Sequence, residues 1–124
     1  MACILCVDDK QDVLASLAEV LRASGYSTLT ALSGNQGLRL LLQNSVDLVV
    51  LDYEMPAMNG DLVAQAIRRS KPELPIILFT GISDDIPDSV RQNVNVVVSK
   101  VDFGELLAVV GKLIKKSPGK REAT

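Results

Sequence analysis

The sequence predicts an α/β protein in which five strands alternate with five helices, a (βα)5 arrangement. Short apolar runs alternate with amphipathic stretches from the start of the chain to about residue 115. This order is typical of a parallel sheet that is covered by helices on both faces. A length of 124 residues suits one domain. Hydrophobic residues make up 48% of the chain and aromatic residues only 3%, so aliphatic side chains must fill the core.

The predicted strands are short and mostly apolar. They cover residues 3–7, 27–31, 47–51, 76–79 and 94–98. The first and third runs are apolar on both faces, as in strands buried inside a parallel sheet. The second run, Ser-Thr-Leu-Thr-Ala, is more polar and predicts a strand near an edge.

Aliphatic residues recur at helical spacing in four of the intervening stretches. The predicted helices cover residues 11–24, 35–43, 61–70 and 103–115. Gly25 is a typical stop for the first of them. Residues 81–93 are less regular, because Pro87 limits any helix there to a start at or near it. We therefore expect a truncated or irregular fourth helix, one domain over residues 1–115, and a disordered tail or linker stub over 116–124.

The composition excludes several classes of function. The chain has no histidine, which removes histidine-based catalysis and a phosphohistidine on this chain. A net charge of −2 offers no electrostatic case for direct nucleic-acid binding. No apolar run approaches the roughly 20 residues of a membrane span, and the N-terminus lacks the charged start of a signal peptide. We expect a cytoplasmic protein.

Cys3 and Cys6 have the C-x-x-C spacing of redox and metal motifs. They lie within an apolar run that predicts a buried strand, and positions three apart on a strand point to opposite faces. We expect the two thiols to pack in the core and not to meet.

Four of the five predicted strands end in polar residues that can carry chemistry. These residues are Asp8 and Asp9 after the first strand, Asp52 after the third, Thr80 after the fourth, and Ser99 and Lys100 after the fifth. The carboxyl ends of parallel strands meet at one edge of the sheet, where ligands bind. Each residue alone has an ordinary explanation as a helix cap, a turn residue or a solvated charge. Their joint placement favours a functional site.

Clustered carboxylates repel one another unless a cation neutralises them. No second Lys or His is evident that could neutralise them. A hard divalent cation with oxygen ligands would do so, which favours Mg²⁺, with Mn²⁺ as an alternative. One carboxylate could then act as a nucleophile toward a phosphoryl group. Lys100 and Thr80 could stabilise the charge on its oxygens.

Four motifs carry a resemblance to a known family. They are Val7-Asp8-Asp9, Leu51-Asp52-Tyr53-Glu54-Met55-Pro56-Ala57-Met58-Asn59-Gly60, Phe79-Thr80-Gly81 and Ser99-Lys100. Over about residues 2–115 the chain resembles the receiver domains of response regulators in two-component signal transduction. The resemblance implies a flavodoxin-like three-layer fold with strand order 2-1-3-4-5. It also implies a phosphoacceptor signalling domain that assists its own Mg²⁺-dependent phosphorylation and dephosphorylation, and is not otherwise an enzyme.

The resemblance also assigns roles to residues. Asp52 would accept a phosphoryl group from a sensor histidine kinase or a histidine phosphotransfer protein. Asp9, Asp52 and the backbone carbonyl of Glu54 would ligate Mg²⁺, with Asp8 acting through metal-bound water. Lys100 would pair with the phosphoryl oxygens, and Thr80 would bind the phosphoryl group and draw the following loop inward. The output protein or domain is not implied, and a homodimer is left open.

Three positions depart from the family pattern. Val97 stands where many receivers have an aromatic switch residue, which predicts a nonstandard output. Val101 stands where the family usually has proline after the lysine, often with a cis bond, and we expect a trans Lys100–Val101 bond. Glu54 places a carboxylate near the acceptor, and we hypothesise that it modulates the lifetime of the phosphorylated form.

Other classes fit less well. A haloacid-dehalogenase-like phosphatase would need a second aspartate where Glu54 stands and an acidic pair late in the chain. A flavodoxin-like cofactor binder would need an anion-binding loop after the first strand, but residues 8–12 are acidic there. A receiver that serves only as an interaction module stays open. So do a single-domain regulator, a phosphorelay shuttle and a receiver from a longer hybrid protein.

Overall fold

The computed structural model describes residues 1–55, 58–81 and 85–116, with only the backbone at Lys116. Within these ranges, five parallel strands form one sheet in the order β2-β1-β3-β4-β5. The strands are β1 Cys3–Val7, β2 Ser27–Ala31, β3 Leu48–Leu51, β4 Ile76–Thr80 and β5 Val96–Ser99. The helices are α1 Gln11–Ala23, α2 Gly34–Gln43, α3 Gly60–Ser70, α4 Asp88–Arg91 and α5 Phe103–Lys116.

The sheet lies between two apolar cores, because successive side chains on a strand point to opposite faces. One face packs against α2, α3 and α4 through residues that include Leu5, Val7, Val49, Leu51, Ile76 and Leu78. The other face packs against α1 and α5 through Ile4, Cys6, Leu48, Val50, Ile77 and Phe79. The structure thus confirms the predicted three-layer fold, its strand order and the edge position of the polar strand β2.

The strand bounds differ from the predicted ones by one or two residues. β5 begins at Val96 and not at residue 94, because the Val94 amide closes the turn after α4 by donating to the Arg91 carbonyl at 3.2 Å. β4 and β5 each run one residue further than predicted, since Thr80 pairs with Ser99. β3 begins at Leu48, one residue later than predicted.

Two local predictions are confirmed. Helix α4 is only four residues long and follows Pro87, as the position of that proline indicated. The Lys100–Val101 peptide bond is trans. The predicted tail falls mostly on residues 117–124, which lie outside the described residues, and it stays a prediction.

The cysteines lie on opposite faces of β1 and form no disulfide, as predicted, but Cys3 is only partly buried and lies outside both apolar cores. Cys6 packs into the core beneath α1 and α5 and is fully buried. Burial raises the pKa of its thiol to about 12, and the neighbouring Cys3 acts in the same direction. A thiol in that environment is inert, which agrees with a packing role.

None of the described helices is both long and apolar enough to cross a bilayer.

Candidate functional site

The acidic residues lie at the carboxyl edge of the sheet, on neighbouring strands. The Asp8 amide donates to the Ala31 carbonyl at 3.1 Å, and the Asp52 amide donates to the Val7 carbonyl at 2.9 Å. These bonds extend the strand pairing one residue past β1 and β3. They therefore fix the backbone of both aspartates at the point where the sheet ends.

Three carboxylates meet there. Asp8, Asp9 and Asp52 each place an oxygen within 4.8 Å of the others. Asp8 is 1% exposed and Asp52 is 3% exposed, whereas Asp9 is partly exposed. Because buried like charges repel strongly, this cluster requires positive charge close by.

Lys100 supplies part of that charge. Its Nζ lies 2.8 Å from Asp8 Oδ2 and 3.3 Å from Asp52 Oδ1. Its amide donates to the carbonyl of Thr80 at 3.0 Å, which ties the end of β5 to the end of β4. Thr80 is itself fully buried as the last residue of β4. The ends of four strands thus contribute to one site.

The ionisation of this cluster reflects both burial and charge. Burial raises the pKa of the Asp52 carboxyl, and the neighbouring Asp8 raises it further, against the opposing effects of Lys100 and Lys10. Burial acts to lower the pKa of Lys100, but hydrogen bonding and attraction to Asp8 and Asp52 outweigh it and raise that pKa. The ammonium therefore stays protonated between the two carboxylates.

Two oxygens of the cluster are buried and accept no hydrogen bond: Asp9 Oδ1 and Asp52 Oδ2. An orphaned buried carboxylate oxygen is costly unless a cation or a donor occupies its lone pairs. Both oxygens belong to residues that were predicted to ligate Mg²⁺. The donor set, which consists only of oxygens, fits a hard divalent cation.

Gly60 lets the start of α3 approach the backbone of Asp52 and Tyr53 closely. A Cβ atom at this position would lie 2.3 Å from the Asp52 carbonyl oxygen and 2.8 Å from Tyr53 Cα. The Gly60 amide donates to the Tyr53 carbonyl at 2.8 Å, and the Asn59 side chain caps α3. A glycine is therefore required where the helix start approaches the strand end.

The structure brings together four of the predicted site residues, namely Asp8, Asp9, Asp52 and Lys100. It places Thr80 at the same edge of the sheet. The Glu54 side chain is exposed in the loop after β3, and the role of its backbone carbonyl stays a prediction.

One prediction was wrong. The sequence indicated no second lysine near the acidic cluster, but Lys10 Nζ lies 3.6 Å from Asp9 Oδ1. The sequence did carry a signal for this contact. Lys10 stands at the N-cap position of α1, where Ser, Thr, Asp or Asn is usual.

The comparisons with known proteins agree with this geometry. The profile of the response regulator receiver domain matches residues 4–110. The transcriptional regulatory protein PrrA of Mycobacterium tuberculosis is 33% identical over 116 residues, which cover 91% of this chain and 50% of the relative. GlrR of Escherichia coli is 40% identical over 87 residues, which cover 70% of this chain and 19% of that relative.

Solved structures show the same fold. The response regulator TrrA of Thermotoga maritima, in complex with Mg²⁺ and BeF, is 38% identical with a TM-score of 0.87, covering 91% of this chain and 99% of that one. TrrA in complex with the histidine kinase ThkA matches with a TM-score of 0.85 at the same identity, covering 91% and 98% of the two chains.

A parallel five-stranded sheet in the order 2-1-3-4-5, with an acidic cluster and a lysine at its carboxyl edge, is the flavodoxin-like arrangement of receiver domains. The chain belongs to the response regulator receiver domain family. It spans half or less of the length of the curated relatives named above.

Proposed function

We propose that this receiver domain, over residues 1–115, takes a phosphoryl group onto Asp52. The observation that carries the proposal is the Lys100 ammonium, which contacts both Asp8 and Asp52 inside a cluster of three carboxylates. The cluster combines an acidic nucleophile, a buried cation and oxygen ligands for a metal, which are the parts that phosphoryl transfer requires.

In the proposed reaction, an Asp52 carboxylate oxygen attacks the phosphorus of a phosphohistidine. An oxygen–phosphorus bond forms, the phosphorus–nitrogen bond breaks, and its electron pair returns to the imidazole nitrogen of the donor. Lys100 stabilises the negative charge of the transferred group, and Thr80 donates a hydrogen bond to it. Burial of Asp52 limits the access of water to the acyl phosphate.

Asp9 and Asp52 would hold Mg²⁺ directly, with the backbone carbonyl of Glu54, and Asp8 would act through metal-bound water. Mn²⁺ would serve in its place. The bound cation would neutralise the cluster and the phosphoryl oxygens. Two buried oxygens that accept no hydrogen bond, Asp9 Oδ1 and Asp52 Oδ2, support this assignment.

The phosphodonor would be a sensor histidine kinase or a histidine phosphotransfer protein. Support comes from the complex of the similar regulator TrrA with the histidine kinase ThkA. The same assignment would make the chain assist its own dephosphorylation.

Phosphorylation would control an output protein or a further domain by a nonstandard route. Val97 is partly buried on β5, against the core formed with α2 and α3, and it lacks the ring of the usual switch residue. The fourth helix is too short to present a long output surface. A homodimer is a second form that the output could take.

Incubation with Mg²⁺ and acetyl phosphate tests the proposal. We expect an acid-labile phosphate on the wild type, detected by intact mass, and none on Asp52→Asn or in the presence of EDTA. Modification that persists in Asp52→Asn contradicts the assignment. Size measurement of the same samples tests the homodimer.

A further inference from the structure

Lys10 occupies a position that local helix energetics do not favour. It is the N-cap of α1, and its side chain makes no capping hydrogen bond. Capping residues normally carry a hydrogen-bond acceptor, and the positive end of the helix dipole disfavours a cation there. A residue that breaks a local rule calls for a compensating interaction elsewhere.

The acidic cluster provides that interaction. Lys10 Nζ lies 3.6 Å from Asp9 Oδ1, a buried oxygen that accepts no hydrogen bond. The Lys10 amide donates to Asp8 Oδ1 at 2.9 Å, which fixes the backbone beside the cluster.

The two lysines of the site are held differently. Lys100 has a side chain that is 19% exposed and contacts two buried carboxylates. Lys10 has a side chain that is 58% exposed and contacts one carboxylate at a distance beyond hydrogen bonding. A pair of that kind is weak and exchangeable. Lys100 is therefore a fixed cation of the site, and Lys10 is a displaceable one.

We propose that the Lys10 ammonium competes with the metal for the Asp9 carboxylate. Once the metal displaces it, the ammonium attracts the anionic phosphodonor at the exposed mouth of the site. The second half rests on the proposed phosphorylation of Asp52. A single positive charge thus weakens the binding of a cation and strengthens the capture of an anion.

The first arm of the test measures metal binding alone. Mg²⁺ is titrated by calorimetry into the wild type, Lys10→Gln, Lys10→Arg and Lys71→Gln without any phosphodonor. Lys71 is an exposed lysine after α3, at the opposite edge of the sheet, and controls for net charge. We expect the Mg²⁺ Kd to fall about two- to five-fold in Lys10→Gln, as for an exposed ion pair. It should stay near the wild-type value in the other two variants.

The second arm measures phosphorylation by acetyl phosphate at saturating Mg²⁺. We expect the half-saturating concentration of acetyl phosphate to rise in Lys10→Gln, with a smaller change in the limiting rate. Lys10→Arg should restore the wild-type value. High salt should shrink the difference, because the Debye length falls to roughly 3 Å at 1 M.

The proposal is overturned if Lys10→Gln and Lys71→Gln have equal Mg²⁺ Kd values. It is also overturned if they have equal half-saturating concentrations of acetyl phosphate. Failure of the wild type to take phosphate on Asp52 overturns the proposed function and the donor role together. The calorimetric arm needs no phosphate transfer and decides the competition for Asp9 by itself.

Discussion

The Asp52 carboxylate is destabilised by burial and by Asp8, and stabilised by the positive charges of Lys100 and Lys10. Its carboxylate is buried, lies beside Asp8, and leaves one oxygen without a hydrogen bond. The resulting rise in pKa means that ionising Asp52 costs more in the folded state than in the unfolded chain. An ionised Asp52 therefore lowers the stability of the metal-free protein.

Asp52→Asn should raise the stability of the metal-free protein by roughly 1 to 3 kcal/mol at neutral pH, because it removes a buried, poorly paired charge. The folded pKa of Asp52 lies above the ordinary value of 3.8. The stability difference should thus be absent below that value and should grow as pH rises through the folded pKa. Thermal unfolding with and without Mg²⁺ measures it, with exposed Glu19→Gln as the control. An Asp52→Asn variant that is less stable than wild type in EDTA contradicts this account.

Glu54 should slow the loss of phosphate from Asp52. Its carboxylate is exposed, two residues after Asp52, and would add negative charge that disfavours an attacking hydroxide. We expect Glu54→Gln to dephosphorylate up to about five-fold faster, the range of an exposed charge effect. Following the decay of the phosphorylated mass after removal of the donor measures the rate, and equal rates reject the hypothesis.

At the scale of single elements, the start of α3 packs directly against the backbone of Asp52 and Tyr53. Gly60→Ala forces backbone to move, since its Cβ would contact the Asp52 carbonyl oxygen and Tyr53 Cα at 2.3 and 2.8 Å. We expect a loss of about 1 to 3 kcal/mol in the free energy of unfolding and weaker Mg²⁺ binding.

Gly111→Ala on α5 is the matched control, because its added Cβ meets nothing within 4 Å. Better helix propensity should stabilise it by up to about 1 kcal/mol. If the free energy of unfolding changes in the same direction in Gly60→Ala and Gly111→Ala, the close approach at Gly60 does not matter for stability.

Polar side chains bind the edge of the sheet that lies opposite the acidic cluster. We call this group, which consists of Arg68, Asn95 and the segment from Pro72 to Ile76, the polar latch. Arg68 donates to the Leu74 carbonyl at 2.5 Å and to Asn95 Oδ1 at 2.7 Å. Asn95 Oδ1 also accepts from the Ile76 amide at 2.8 Å. The Asn95 side chain thus accepts the hydrogen bond of the Ile76 amide, as a backbone carbonyl at the start of β5 would.

Asn95→Ala should lower the free energy of unfolding by about 1 to 3 kcal/mol, because it leaves the buried Ile76 amide without an acceptor. Phosphorylation at saturating donor should persist, since the latch lies far from the acidic cluster. Denaturant unfolding beside exposed Gln92→Ala measures the effect. Equal stability of the two variants would contradict the role of the latch.

The sequence sufficed for the elements and for the placement of the predicted site residues at the strand ends, because apolar periodicity and parallel topology determine both. It did not predict that Asn95 replaces a residue of β5 or that Lys10 turns toward Asp9. The contacts of Asn95 depend on partners that are distant in sequence. The direction of the Lys10 side chain depends on the conformation of the loop between β1 and α1. Periodicity contains no information about such partners.

At the scale of the whole molecule, the site exists only when the fold is complete. Its charged groups come from residues as far apart as Asp8 and Lys100, and they meet because β1, β3, β4 and β5 end at one edge. Both apolar cores hold these strands in register. A cation bound at that edge would therefore stabilise the entire fold.

The most direct test of the central claim is to locate the phosphate. The protein is phosphorylated by acetyl phosphate with Mg²⁺ and then reduced with borohydride, which converts an acyl phosphate of aspartate to homoserine. Peptide sequencing by mass should find homoserine at position 52 and aspartate at positions 8 and 9. Homoserine at either of those two positions, or none at position 52, would contradict the assignment of Asp52 as the acceptor.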